Sequence, residues 1–264
     1  MNREGVLSEI KWRFRHYQLL DSTNEEAKRL IDSGETEFLV VSTEHQTRGR
    51  GRRDNAWYDA AGKSLLLSVV LKDDFFPINP SLCVPVGCVM ALKNLGAKGP
   101  KIKWTNDLVY GRKKVGGILI EKVARNRGVF LIVGIGINMD YTDGELPKTP
   151  GLPPTAIAIE EGRSCEKSEI IEAVLNSFES MKEMTDEQLL LCYRRHLAFL
   201  GEKVRVKSPV RYPPLARPES EVHGILEGVD EQGKLILKES NGGIVLLIDG
   251  RLLPADLENP RLRE

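Results

Sequence analysis

The alternation of apolar and polar positions changes character at Gly201. Before this glycine, apolar runs of strand length are separated by segments of helical character. The predicted strands are 38–44, 64–71, 101–104, 108–110, 115–123 and 129–137, and the predicted helices are 22–34, 80–96, 167–184 and 185–200. After Gly201 come four short strands with tight turns, at 203–207, 222–229, 234–238 and 244–248. This change predicts two domains, residues 1–200 and a small β-barrel over 201–264.

Four local signals refine these elements. Ser22 and Glu25 have the spacing of a capping box, and Gly34 is a stop signal. The first helix is therefore predicted between Ser22 and Gly34. Pro85 lies inside the apolar segment 80–96 and is expected to break or kink that helix, because proline has no amide hydrogen to donate. Residues 48–62 are polar and without periodicity, which favours a functional loop. Prolines 147, 150, 153 and 154 predict a surface crossover.

Composition excludes several classes of protein. Lys+Arg and Asp+Glu both total 38, so the net charge is zero, which argues against a general nucleic-acid binder. No apolar run approaches the roughly 20 residues that span a bilayer, and the first residues lack the apolar core of a signal peptide. The four cysteines form no CxxC pair, so neither a zinc site nor a disulfide framework is indicated. We therefore predict a cytoplasmic protein with reduced thiols and no membrane partner.

One loop combines arginine and glycine in a way that suits a small anion. Arg48-Gly49-Arg50-Gly51-Arg52-Arg53 follows the apolar run that begins at Phe38. Glycine lets the backbone approach a ligand closely, and the guanidinium group matches carboxylate and phosphate oxygens. From these residues alone, an anion clamp and a solvated basic loop stay equally open.

Other polar clusters interrupt apolar strands further along the chain. Lys103 lies in Lys-Trp-Thr-Asn-Asp, Gly116 and Gly117 open a strand, and residues 134–138 end one as Gly-Ile-Gly-Ile-Asn. Each has an ordinary explanation: an edge lysine, glycines at bulges, and an asparagine in a turn. Their occurrence together with the arginine loop, in this order, favours a shared site.

This ordered set resembles the biotin protein ligase family (biotin–[acetyl-CoA-carboxylase] ligase). The matching segments are Asp21-Ser22-Thr23-Asn24, Gln46 followed by Gly49-Arg50-Gly51-Arg52-Arg53 and Trp57, Lys103-Trp104-Thr105-Asn106-Asp107-Leu108, Gly117-Ile118-Leu119-Ile120-Glu121, Gly134-Ile135-Gly136-Ile137-Asn138, and residues 224–233. Two departures are Thr105, where the family usually has proline, and Asp54-Asn55, where it usually has glycine and a basic residue. The resemblance implies an α+β fold, a mixed-sheet catalytic domain of the biotin/lipoate ligase type with a small SH3-like barrel.

The resemblance also implies the chemistry. Biotin carboxylate attacks the α-phosphorus of ATP to give biotinyl-5′-AMP and pyrophosphate, and a lysine of a carboxylase's biotin carboxyl carrier domain then takes the biotinyl group. The implied catalytic residues are Lys103, Arg50 and Arg52. The implied biotin-binding residues are Ser22, Thr23, Asn24, Gln46, Gly49, Arg50, Lys103, Gly117 and Gly134. The implied nucleotide-binding residues are Arg50, Arg52, Arg53, Trp57, Lys103, Asn106 and Asn138.

Cofactor and partners follow from the same resemblance. Mg²⁺ is expected with ATP, held partly by phosphate oxygens, and its protein ligands are not assigned. A homodimer is expected. Only about 20 residues precede Asp21, too few for a helix-turn-helix module, so DNA binding is not expected.

Two other functions stay open. A lipoate or octanoate ligase or transferase shares the implied fold, but its Ser-Gly-Gly-Gly stretch is absent near the arginines, and Gln46 favours biotin. An RNA-binding module would use residues 48–53 as a basic patch. Zero net charge and the lack of aromatic residues among the arginines argue against it.

Overall fold

A computed structural model describes residues 10–146, 151–214 and 220–257. These ranges contain eleven strands and five α-helices. The strands are β1 (Arg13–Leu20), β2 (Leu39–Gln46), β3 (Ser64–Lys72), β4 (Pro100–Lys103), β5 (Asp107–Tyr110), β6 (Lys113–Arg125), β7 (Gly128–Asn138), β8 (Lys203–Tyr212), β9 (Glu221–Val229), β10 (Leu235–Lys238) and β11 (Ile244–Pro254). The helices are α1 (Thr23–Asp32), α2 (Pro80–Asn94), α3 (Ile157–Glu161), α4 (Lys167–Ser180) and α5 (Asp186–His196). No helix in the described ranges is both long and apolar enough to cross a membrane.

The described chain forms two compact units. The first contains the residues up to Phe75 together with Leu119–Gly136, and the second contains Phe76–Ile118 and the residues from Ile137 onward. Strands β6 and β7 each contribute residues to both units. The division of the chain into these two units does not test the predicted domain boundary at residue 200, which stays a prediction.

The first unit is a mixed sheet covered by one helix. β1 is parallel to β2, β2 is antiparallel to β3, and the order continues through β7 to β6. Ala27 and Ile31 of α1 are buried in a cluster with sheet residues Leu39, Val41, Val70, Val123, Phe130 and Ile132. Burial of this apolar face fixes α1 on the sheet and brings its first turn to the polar end of β2.

Helix α1 begins where the sequence predicted, but without the predicted capping box. Ser22 is the N-cap residue, and its side chain makes no capping hydrogen bond. The Ser22 amide donates to Asp21 Oδ1 at 2.8 Å. The Glu25 carboxylate, which a capping box would turn back to that amide, instead accepts from Lys28 and Arg50. The helix start is therefore right and the proposed capping interaction is wrong.

The second unit is built around an apolar helix. α2 runs without interruption through Pro85, so the predicted break is wrong. Residues from Leu82 to Val89 are buried on all faces of this helix, and their packing offsets the hydrogen bond that Pro85 cannot make. Gly87 allows close approach of Phe178, because a Cβ at this glycine would lie 2.6 Å from the ring.

Strands β4, β5 and the start of β6 form an antiparallel hairpin array in the second unit. The register places Lys103 opposite Asp107, and Asp107 opposite Gly117. The Lys103 side chain therefore lies beside the carboxylate of Asp107, which is four residues further along the chain.

The four last strands close on themselves. β8 pairs with β9 and β11, and β10 pairs with the same two strands, so the sheet has the order β10-β11-β8-β9 and is a closed barrel. β8 and β11 are longer than predicted, and both contain register shifts in their pairing. The predicted barrel is present within residues 203–254.

The turn between β9 and β10 is held by side chains from elsewhere in the second unit. Trp104 Nε1 donates to the Gly233 carbonyl oxygen at 2.9 Å. Asn79 Nδ2 donates to the Gln232 carbonyl oxygen at 3.3 Å, and Arg194 donates to the Val229 carbonyl oxygen at 2.8 and 3.0 Å. This barrel turn is therefore packed against the residue that follows Lys103.

Of the predicted proline crossover, Pro147 and Pro150 lie outside the described residues. The remainder is ordered by backbone bonds, since the Lys114 amide donates to the Pro153 carbonyl oxygen at 2.8 Å. Helix α3 was not predicted, because its five residues are too short to establish a periodic pattern.

Candidate functional site

The arginine loop is a small hairpin in the first unit. Arg50 forms an antiparallel bridge with Ala56, the Gly51 amide donates to the Asn55 carbonyl oxygen at 2.7 Å, and the Trp57 amide donates to the Gly49 carbonyl oxygen at 2.9 Å. A Cβ at Gly49 would lie 2.6 Å from the Trp57 carbonyl oxygen, so glycine is required for this close approach.

The base of the loop is attached to the segment before α1. The Thr47 and Arg48 amides donate to the Leu20 and Asp21 carbonyl oxygens, both at 2.9 Å. The Asp21 carboxylate accepts from Arg29 at 2.7 Å and from Arg48 at 3.2 Å. The hydrogen bond from Arg29 outweighs burial and holds the pKa of Asp21 well below its usual range. Asp21 therefore stays ionised and ties the loop to α1.

Hydroxyl and amide groups collect at the N-terminus of α1. Ser22, Thr23 and Asn24 are buried. Gln46 Oε1 accepts from the Thr23 amide at 2.8 Å and from Thr23 Oγ1 at 3.2 Å. Ser68 Oγ, also buried, lies 2.7 Å from Thr23 Oγ1 and 2.6 Å from Asn24 Oδ1. Within the described residues, Ser22 Oγ and Gln46 Nε2 have no hydrogen-bond partner, so their donors are available to a neutral polar ligand.

Two glycines of β7 make room for side chains of the same unit. A Cβ at Gly134 would clash with the Asn24 amide, and a Cβ at Gly136 would lie 2.7 Å from the Trp57 indole. Gly134 was predicted to bind biotin, and in the structure the Asn24 side chain lies directly against it. The contact of Gly134 with Asn24 is therefore observed, whereas its contact with a ligand stays a prediction.

The guanidinium group of Arg50 is bound by two carboxylates. Its Nη2 donates to Glu25 and, at 3.4 Å, to Glu121. Arg52 is half-buried and Arg53 is exposed, in a short 3-10 turn where Arg53 has a φ of 55°. In this loop Arg50 is therefore held by two carboxylates, whereas Arg53 is exposed.

The second unit holds a separate charged cluster around Lys103. The Lys103 side chain is only 7% exposed, and its Nζ donates to Asp107 Oδ2 at 2.5 Å. Lys114 Nζ lies 2.7 Å from the other oxygen of Asp107. Burial would raise the pKa of Asp107, but the two ammonium groups outweigh it and hold the pKa well below its usual range. Two lysines therefore share one carboxylate, leaving an excess of positive charge.

Burial also acts on Lys103 itself. It lowers the pKa of the Lys103 ammonium group below its ordinary value of 10.5, although Asp107 raises it. Lys114 and Arg251 of the barrel lower the pKa further by charge repulsion. An anion bound here would relieve this repulsion, so the cluster suits a phosphate or carboxylate.

Two predicted asparagines stabilise the same unit. Asn106 Nδ2 donates to the Ile118 carbonyl oxygen at 2.9 Å, and the Ile118 amide donates to the Asn106 carbonyl oxygen at 2.9 Å. Asn138 is buried and its Nδ2 donates to the Thr155 carbonyl oxygen at 2.9 Å. The Asn106 amide oxygen accepts from Thr105 Oγ1 at 3.3 Å, and the nucleotide-binding roles of both asparagines stay predictions.

The structure thus groups the predicted site residues into two sets. The first unit holds Ser22, Thr23, Asn24, Gln46, Gly49, Arg50, Arg52, Arg53, Trp57 and Gly134, and the second holds Lys103, Asn106, Gly117 and Asn138. Four network members were not predicted from the sequence to belong to the site: Glu25, Lys28, Ser68 and Glu121. Asp107 and Lys114 were also missed as partners of Lys103. In the described residues no group of three His, Cys, Asp or Glu side chains is placed to hold a metal ion.

Comparisons with known proteins give a consistent result. The model of the biotin/lipoate A/B protein ligase family matches residues 17–138. The chain is 31% identical over 234 residues to a biotin–[acetyl-CoA-carboxylase] ligase of Paracoccus denitrificans, covering 86% of this chain and 94% of the relative. It is 26% identical to the bifunctional ligase/repressor BirA of Bacillus subtilis, over 98% of this chain and 81% of the relative.

Solved structures extend the likeness to the fold. A biotin protein ligase from Aquifex aeolicus, in complex with biotin and ATP, superposes with a TM-score of 0.71 and 26% identity, covering 90% of this chain and 97% of the other. The likeness therefore includes the strands and loops that carry both sets of residues.

Proposed function

Since the chain belongs to the family of biotin–[acetyl-CoA-carboxylase] ligases, we propose that its two sets of residues activate biotin with ATP and transfer it to a protein lysine. The protein is an ATP-dependent biotin ligase. The observation that carries the residue assignment is the cluster at the N-terminus of α1, where uncharged hydroxyl and amide groups lie in the same unit as an arginine held by carboxylates.

The ureido ring of biotin suits the neutral end of this pocket. It is an uncharged group with a carbonyl acceptor and two N–H donors. Ser22 Oγ and Gln46 Nε2 offer donors to the carbonyl oxygen, and the Thr23 hydroxyl fixes Gln46 in place. Asn24 and Gly134 support the wall of the pocket, and Gly49 allows the arginine loop to approach it.

The carboxylate of biotin suits Arg50. In the first step a carboxylate oxygen attacks the α-phosphorus of ATP, an oxygen–phosphorus bond forms, and the bond to pyrophosphate breaks. Two anions must meet, so the cationic groups of Arg50, Arg52 and Lys103 lower the barrier by offsetting their repulsion. Asp107 keeps the buried Lys103 ammonium group in place.

The second step needs no further catalytic group on the enzyme. The amine of an acceptor lysine attacks the acyl carbon of biotinyl-5′-AMP, an amide bond forms, a proton is lost and AMP leaves. We assign Arg53, Trp57, Asn106 and Asn138 to the nucleotide. A biotin carboxyl carrier domain is the proposed acceptor, and the proposed location is the cytoplasm.

Mg²⁺ enters this scheme as Mg-ATP. The described residues offer no acidic cluster for it, and the Asp107 carboxylate is occupied by two ammonium groups. Mg²⁺ would therefore be held chiefly by phosphate oxygens and water, and would neutralise charge on the leaving pyrophosphate. A homodimer stays an expectation of the family, which sedimentation of the purified chain tests.

Pyrophosphate release is the direct test of the first step. With Mg-ATP, we expect release that depends on biotin and does not require an acceptor protein. Lipoate is the matched competitor, because it has a carboxylate on a similar chain and no ureido ring. Gln46→Ala should weaken biotin binding selectively. Turnover with lipoate and none with biotin would overturn the assignment of the substrate.

A further inference from the structure

The ion pairs of Arg50 connect it to two different elements. Its Nη2 donates to Glu25 of α1 and to Glu121 of β6. Within the described residues, Arg50 Nε and Nη1 have no acceptor. The Arg50 guanidinium group therefore uses one nitrogen, Nη2, for these ion pairs. The N–H groups of Nε and Nη1 remain available to donate to a ligand.

Glu121 is itself held firmly. Its Oε2 accepts from Asn24 Nδ2 at 2.8 Å, and its Oε1 accepts from Lys28 Nζ at 2.8 Å. Lys28 also donates to Glu25 at 2.9 Å. The hydrogen bonds from Lys28 and Asn24 lower the pKa of Glu121 despite its burial, so this carboxylate stays ionised.

The four charges of this cluster cancel. Glu25 and Glu121 each carry one negative charge, and Lys28 and Arg50 each carry one positive charge. The Glu121 side chain is 23% exposed and that of Lys28 is 21% exposed, so the pairing is partly shielded from water. The Arg50 side chain is 40% exposed, and a neutral cluster of this kind restricts its rotamers without adding net charge near a ligand.

The same cluster reaches the neutral end of the pocket. Asn24, which holds Glu121, has its amide oxygen 2.6 Å from Ser68 Oγ, and Ser68 also contacts Thr23. Gly134 admits the Asn24 side chain at this point. The side chains proposed to hold the ureido ring and the arginine proposed to hold the carboxylate are therefore joined through Asn24 and Glu121.

We propose that Glu121 is a positioning residue for biotin activation: together with Glu25, the nearer carboxylate, it holds Arg50 by Nη2 so that Nε and Nη1 meet the biotin carboxylate. This inference rests on the proposed function. A preorganised arginine loses less conformational entropy when the ligand binds, which improves affinity for the ligand. Glu121 does not touch biotin and acts through Arg50.

The test uses isosteric variants of the full-length chain. Glu121→Gln keeps the shape and a hydrogen bond to Asn24 but removes the charge that holds Arg50. Asp32→Asn is the matched control, because Asp32 also joins α1 to an arginine of β6, Arg125, away from the pocket. Steady-state pyrophosphate release gives KM for biotin and kcat at saturating Mg-ATP.

We expect Glu121→Gln to raise KM for biotin about tenfold with a smaller change in kcat, as the loss of a charged hydrogen bond implies. In an Arg50→Gln background the same substitution should add little to the KM for biotin, since its effect passes through Arg50. Asp32→Asn should match the wild type. An unchanged or lower KM in Glu121→Gln, or full additivity with Arg50→Gln, would overturn the proposal.

A second measurement needs no ligand. Phenylglyoxal modifies arginine side chains, and peptide mass spectrometry gives the rate at Arg50. The rate should rise in Glu121→Gln and in Glu25→Gln, and stay constant in Asp32→Asn. Equal rates in all four proteins would show that Arg50 is not held. If the wild type releases no pyrophosphate with biotin, the proposed function fails, while the labelling still decides whether Glu121 holds Arg50.

Discussion

Trp104 Nε1 donates to the carbonyl oxygen of Gly233 at 2.9 Å, which ties the residue after Lys103 to a turn of the barrel. Trp104 is only 2% exposed, so this hydrogen bond is shielded from water. Arg194 and Asn79 hold neighbouring carbonyl oxygens of the same turn. The barrel thus supports the backbone that presents Lys103.

Trp104→Phe tests this support. The substitution keeps an aromatic ring but leaves the Gly233 carbonyl oxygen without its donor, which should lower the free energy of unfolding by about 1–3 kcal/mol. Urea denaturation followed by circular dichroism measures the change. Trp12→Phe is the control, because phenylalanine can keep the aromatic contact with Phe38. Equal stability of Trp104→Phe and the wild type would contradict the argument.

Lys103→Ala should abolish most adenylation. A cationic group facing the transferred phosphorus is worth about 3 kcal/mol, or roughly two orders of magnitude in rate. Biotin-dependent pyrophosphate release measures the loss. Lys101→Ala is the matched control, because Lys101 lies on the same strand and is exposed. A near-wild-type rate in Lys103→Ala would remove its central role.

The pH dependence of the reaction should report the charge on Lys103. Burial lowers the pKa of Lys103 below 10.5, so activity should fall with rising pH earlier than for an ordinary lysine. Asp107→Asn removes the charge that raises this pKa, and the alkaline limb of kcat/KM should therefore move to lower pH. Asp73→Asn, which removes a surface ion pair with Lys122, should leave the limb in place. A limb that stays fixed or moves upward in Asp107→Asn would contradict this assignment.

Ligand binding should protect the tip of the arginine loop. The amides of Thr47, Arg48, Gly51, Asn55 and Trp57 already have backbone acceptors, so the change should be concentrated in residues 52–54. A bound anion reduces the repulsion between neighbouring arginines and supplies acceptors for their donors. Hydrogen exchange with mass spectrometry, with and without biotin and Mg-ATP, measures this. Identical exchange in both states would argue against ordering by the ligand.

A chain that ends at Leu200 tests the predicted domain boundary. Without the barrel, the Trp104 indole and the Arg194 guanidinium group lose their acceptors, so we expect lower stability and impaired adenylation. Biotin affinity, measured by calorimetry, should be retained, because the proposed ureido ligands belong to the first unit. Failure to fold would show that residue 200 is not a domain boundary, and full adenylation would leave the barrel without a role.

Local patterns located most of the fold. The strands over 64–71 and 129–137 were found because their apolar runs are long and uninterrupted, and α1 was found from polar residues that precede an apolar face. The extension of β11 to Pro254 was missed, because Gly250 and the charged Asp249 read as a turn. The continuity of α2 through Pro85 depends on packing against other elements, which no local pattern encodes.

The sequence proposed site residues one by one but did not predict the network that joins them. Asn24 and Glu121 are 97 positions apart, so their hydrogen bond leaves no local signal. Asp107 stood inside a recognised motif, yet its pairing with Lys103 follows from the register of two strands and not from the spacing. The sequence therefore suggested the hydrogen-bond donors and the cationic side chains. Their acidic partners, Glu121 and Asp107, were recognised in this role only from the three-dimensional structure.

The contact between Trp57 and Gly136 makes the arginine loop visible to spectroscopy. The indole lies against the backbone of β7 with no Cβ between them, so its surroundings depend on the position of the loop. Movement of the loop away from β7 would expose this indole to water and shift its emission to longer wavelength. Trp57 is therefore an intrinsic fluorophore in the loop. Because the chain also contains Trp12 and Trp104, a variant that replaces these two would report the position of the loop in solution without an attached dye.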